Sequence, residues 1–103
     1  MISRRDFVFT IGYDGSTAVV DGSLKRRFGS LSTEELAKKG LFKQALCSAV
    51  YEAAAAGREP QLEGILEAYN AGTQHKLAHA EELKRMFGVF EVPEGISRVL
   101  VIG

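Results

Sequence analysis

The chain has 103 residues, 13 Lys+Arg against 13 Asp+Glu for a formal charge of zero, and 46% hydrophobic residues. This composition excludes an intrinsically disordered chain, a disulfide-stapled scaffold and a nucleic-acid binder that works by bulk positive charge. One domain is expected at this length, with a core large enough to need neither metal nor disulfide.

From the N-terminus, Ser3-Arg4-Arg5-Asp6-Phe7-Val8 resembles the twin-arginine export motif. A working signal needs a continuous apolar run, and here Thr10, Gly12 and Asp14 interrupt it. Arg4 and Arg5 are therefore read as solvated charges leading into a strand. Phe7, Phe9, Ile11 and Tyr13 alternate at period two, which predicts a strand over residues 6–13 with one apolar face. Asp14-Gly15 is a hairpin signal, and Ser16 to Val20 is the β-branched returning strand. Asp21-Gly22 repeats the punctuation, and Leu24 to Phe28 is read as a third strand, which makes an N-terminal antiparallel β-meander.

The periodicity changes at Ser32. Ser32-Thr33-Glu34-Glu35 fits a capping box that opens a helical segment over residues 33–39. Gly40 breaks or bends the helix there. From Leu41 to Ala56, Phe42, Leu46, Ala49, Val50 and Ala53 recur at helical spacing, and Gly57 suits a C-terminal cap. Pro60 starts another helix with Leu62, Ile65, Leu66 and Tyr69 on one face, closed by Asn70-Ala71-Gly72. Thr73 is read as the cap of a last helix running to Phe87, with Leu77, Ala80, Leu83 and Phe87 inward. Ser97 to Ile102 then reads as a buried closing strand. Strands, then two to three central helices, then one strand predict an α+β domain. Its helices pack on one face of a mainly antiparallel sheet, and the C-terminal strand returns across them to that sheet.

Four groups of residues are functional candidates. Arg4, Arg5, Lys25, Arg26 and Arg27 make residues 1–30 mildly basic and are the nucleic-acid-binding candidates, offset by an acidic stretch over residues 59–94. Residues 33–44 resemble the opening of a helix-turn-helix, but Gly40 follows Ala37 by three positions where that motif has four. His75 and His79 lie four apart on the expected last helix, with Glu82 nearly on the same stripe, a spacing that suits a metal ion. The Ala53 to Ala56 run allows close backbone approach, so Tyr51, Ala53, Ala56 and Tyr69 are the interface candidates, together with an exposed edge strand.

The single cysteine, Cys47, points to a reducing, cytoplasmic setting, and no base near it in sequence would activate its thiol. No complete catalytic set, no cofactor motif and no membrane-length apolar run is present. The expected function is a small soluble non-catalytic interaction module, its partner itself as a homo-oligomer or another protein. The alternatives are a nucleic-acid accessory protein and a metal-dependent enzyme.

Overall fold

In the computed structural model, which describes residues 2–74 and 76–103, the α+β class holds. Helix α1 (Arg4–Val8) leads into a hairpin of β1 (Thr10–Asp14) and β2 (Thr17–Asp21). Five helices follow: α2 (Gly22–Phe28), α3 (Thr33–Lys38), α4 (Phe42–Ala56), α5 (Glu63–Gly72) and α6 (Ala80–Phe87). Strand β3 (Arg98–Ile102) closes the fold. The sheet order is β1-β2-β3, with β1 antiparallel to β2 and β3 parallel to β2.

Two expected strand segments are helices, and in each case a cap decides. The Ser3 side chain accepts a hydrogen bond from the Asp6 N–H, which starts α1 where alternation alone suggested a strand. Phe7, Val8 and Phe9 are all buried, which strict alternation would forbid. Likewise Asp21 Oδ1 accepts from the Leu24 N–H at 3.0 Å, so the second Asp-Gly pair opens α2 instead of turning a hairpin. Lys25, Arg26 and Arg27 then occupy the last turn of α2, where the helix dipole favours cations. The meander is thus a two-stranded hairpin followed by a helix.

The first Asp-Gly pair does make the hairpin. Asp14 pairs with Thr17, and Gly15 has φ +59° in the loop between them. No described residue other than glycine has positive φ, so Ser16 does not share it, which is the pattern of a type II′ turn. The capping box at α3 forms in full: the Glu35 N–H donates to Ser32 Oγ at 3.2 Å, and Ser32 N–H donates to Glu35 Oε1 at 3.0 Å. Those bonds hold the Glu35 carboxyl below its ordinary pKa, the Ser32 backbone N–H contributing most.

Gly40 breaks the helix. With φ +79° it lets the Leu41 N–H reach Leu36 O and its own N–H reach Ala37 O, both at 3.0 Å. This is the crossed bonding of a left-handed helix terminus.

Helix α4 is the centre of the core. Residues 45–50 are all buried, with α1, α3 and α5 packed against α4. In the sheet, Ala18 and Val20 of β2 are fully buried, while Thr17, Val19 and Asp21 on the other face are only partly covered. Tyr69 of α5 stacks edge-on against Phe42 and Phe87, with ring centroids 5.3 and 6.4 Å away, and so joins α4, α5 and α6.

The last helix starts six residues later than a cap at Thr73 predicts, its N-cap being His79. The Asn70 side chain clamps Leu77, its Nδ2 donating to Leu77 O and its Oδ1 accepting from the Leu77 N–H, each at 2.9 Å. The Lys76 ammonium also donates to the Asn70 carbonyl. These bonds hold residues 76–79 outside any helix.

Two glycines with open space around them test this backbone reading. A Cβ would meet nothing within 4 Å at Gly40 or at Gly64, but only Gly40 has positive φ. We expect Gly40→Ala to destabilise by about 1–2 kcal/mol, and Gly64→Ala, inside α5, to stabilise by about 0.5–1 kcal/mol. Urea unfolding of the two variants checks both signs.

Candidate interaction surface

The basic candidates converge only in part, because most have work inside the fold. Arg4 Nη2 donates to Leu31 O at 3.0 Å and to Ser48 Oγ at 2.6 Å, which ties α1 to α4. Lys25 Nζ pairs with Asp6 Oδ1 at 2.6 Å. The Arg5 guanidinium lies against Gly29 at the end of α2, so close that a Cβ there would sit 2.6 Å from Nη2. Arg27 stacks over Phe28, 4.9 Å from the ring centroid. Arg26 Nη1 donates to the backbone carbonyl of Gly103 at 3.1 Å, beside β3. Arg5, Arg26 and Arg27 remain exposed.

The segment resembling a helix-turn-helix places residues 45–50 of its second helix, α4, in the core, while Lys43 and Gln44 in its first turn are half-buried. His75 lies outside the described residues. His79 is exposed and extended just before α6, and Glu82 sits one turn into that helix. Residues 76–79, which the expected helix would include, are not helical. Among the described residues no three His, Cys, Asp or Glu side chains gather as a metal site.

Of the interface candidates, Ala53 and Tyr69 are buried in the chain's own core, Ala53 under α4's inner face and Tyr69 in the aromatic cluster. Tyr51 is half-buried, its hydroxyl donating to Ile2 O at 2.8 Å and its ring 6.0 Å from Phe7. Only Ala56, in the last turn of α4, is exposed. The small side chains let elements of one chain approach each other.

The surface that is open lies elsewhere. All five residues of β3 are exposed, and Val99, Leu100, Val101 and Ile102 each keep 41–48% of their surface in contact with solvent. This corrects the expectation of a buried closing strand. A run of four apolar residues reads the same whether it is central or at the rim, and here β3 is the rim strand of the sheet. By register Val99 and Val101 share the face of Ala18 and Val20, while Leu100 and Ile102 share that of Val19 and Asp21. The strand therefore offers apolar side chains on both faces and an outer row of backbone groups facing no further strand. It is anchored at one end by Ser97, whose N–H donates to Ser16 O at 2.9 Å.

At the opposite rim, β1 is irregular. Its pairing slips between Thr10 and Gly12, so Ile11 is a bulge residue. A cleft of about 220 Å³ lies there between β1 and residues 87–91, floored by Lys43 and Cys47 of α4. The thiol cannot serve it as a nucleophile: burial pushes the Cys47 pKa up to about 11, with Lys43 opposing only weakly. Partial burial also raises the Tyr13 phenol, against a hydrogen bond from Thr10.

The sign of the Cys47 shift sets a pH dependence. The unfolded thiol ionises first, near its ordinary value of 9.0, so its contribution to stability is complete below about pH 9 and is lost toward pH 11. Tyr13 adds to the fall at the alkaline end. We expect unfolding free energy to decline by about 2 kcal/mol on account of Cys47, and Cys47→Ala to show a correspondingly shallower decline across that window. Urea titrations at pH 8, 9, 10 and 11 measure both slopes.

No helix of the described residues is long and apolar enough to cross a membrane. No family model matches the chain, and comparison with curated proteins and with solved structures found no match either.

Proposed function

We propose that this chain is a non-catalytic protein-interaction module that self-associates through the open edge of its sheet, in a reducing compartment such as the cytoplasm. The observation that carries the reading is β3: a five-residue edge strand, four of them apolar, exposed on both faces. Natural sheets protect such edges with charge, proline or a covering element. Between Val99 and Ile102 there is no charge and no proline, and α2 meets the strand only near Val101 and Ile102, which is the pattern of an edge that receives another strand.

The hydroxyl and thiol nearest the core fit this reading. Ser48 is held by Arg4, Thr33 and Glu52 and has no exposed surface, and Cys47 is buried and protonated. A nucleic-acid role would rest on Arg5, Arg26 and Arg27, since Arg4 and Lys25 are spent on Ser48 and Asp6. The open edge has the stronger support.

A contact built on one short strand falls below the standard interface size, so association in the micromolar range is expected. Sedimentation velocity from about 1 to about 200 µM should show the wild type growing beyond monomer with concentration. Leu100→Lys, at a half-exposed position where the charge does not enter the core, should stay monomeric with an unchanged circular dichroism spectrum. A wild type that remains monomeric at the highest concentration overturns the proposal.

A further inference from the structure

Resting on that reading, we infer that the partner at this edge is a second copy of the same chain, paired antiparallel through β3 about a twofold axis at Leu100. The strand is self-complementary about that residue. Val99-Leu100-Val101 reads the same in both directions, so an antiparallel copy centred there sets Val99 against Val101, Leu100 against Leu100 and Val101 against Val99. Opposed residues in an antiparallel pair share a face. The two valines therefore meet on the side of the sheet that bears Ala18 and Val20, and the two leucines on the side that bears Val19.

The only charge in the strand fits the same register. Arg98 falls opposite Ile102, where its aliphatic stem can cover the isoleucine. The two Arg98 residues lie four positions apart along the strands, about 13 Å, which exceeds the screening length of about 8 Å at physiological ionic strength. With zero formal charge on each chain, no long-range repulsion opposes the pairing.

The alternative, β3 of one copy on β1 of the next, is a head-to-tail contact that builds a ring or an open filament instead of a dimer. The β1 edge is built against it. Its bulge at Ile11 breaks the ladder, and residues 87–91 stand beside it across the cleft. An antiparallel β3 pair closes instead, as a continuous six-stranded sheet in the order β1-β2-β3-β3-β2-β1. Both sets of helices then lie on the same side, because the twofold axis is perpendicular to the sheet.

Cysteine scanning of β3 in the intact chain tests the register. Opposed residues at the axis have Cα atoms about 4.5–5.5 Å apart, within the range a disulfide spans, whereas Val99 and its own counterpart are about 8–9 Å apart and outside it. The native Cys47 is buried and does not compete. Under mild oxidation at a concentration where the wild type associates, Leu100→Cys should give a discrete disulfide dimer on a non-reducing gel. Val99→Cys and Val101→Cys should cross-link at least about tenfold more slowly. All three side chains are half-exposed, so the variants keep the fold, which circular dichroism verifies. Fastest cross-linking at position 99 or 101, or equal rates at all three, would overturn the twofold pairing while leaving self-association standing. A wild type that stays monomeric in sedimentation removes the underlying reading as well.

Discussion

The fold depends on burying one helix on all sides. Residues 45–50 of α4 have no solvent-facing stripe, so every neighbouring element must present a surface to it. Such a helix is nearly all apolar, and its one buried hydroxyl, Ser48, has to find partners inside the protein. Arg4 reaches it from α1, Thr33 from the start of α3 at 2.7 Å, and Glu52 lies one turn along α4 at 3.2 Å. Thr33 also donates to Glu52, which closes the set. The satisfied hydroxyl thus sets how α1 and α3 sit on α4, and no described buried side-chain polar atom lacks a partner. This is why Arg4, by sequence a surface cation, works as a structural cross-tie.

The elements with local signals were legible in the chain. The capping box at Ser32, the hairpin at Gly15 and the helix ends at Gly40 and Gly57 all follow from side-chain chemistry within a few positions. The misread elements share one cause. Phe7-Val8-Phe9 and Leu24–Phe28 fit a strand by alternation, but Ser3 and Asp21 are helix caps, and a cap outweighs a weak period in so short a segment. The Asn70 clamp on Leu77 was not legible, because an asparagine near a helix end gives no sign of which backbone it will bind.

The surface was harder to read than the core for a physical reason. Ala53, Tyr69 and the Val-Leu-Val-Ile run are all apolar, and composition cannot say which of them the chain covers itself. That is decided by strand order, a non-local property. The helices spend their small and aromatic residues on one another, while the third of the described strands meets only α2 and stays exposed. An edge strand was among the expected contacts, but that it is β3 follows only from its place beside β2.

The parallel pairing of β3 has a kinetic side. Ser97 and Ser16, which meet at the start of that pairing, are 81 positions apart in the chain. Closing so long a loop carries a large entropic cost before any contact offsets it, whereas the β1–β2 hairpin and the α3–α4 pair close within a few residues. On loop-closure grounds the third strand is expected to be the last to be secured as the chain folds. A neighbouring chain that reaches an undocked β3 would compete with β2 for it, so the docking of residues 97–102 onto β2 is where folding and association meet.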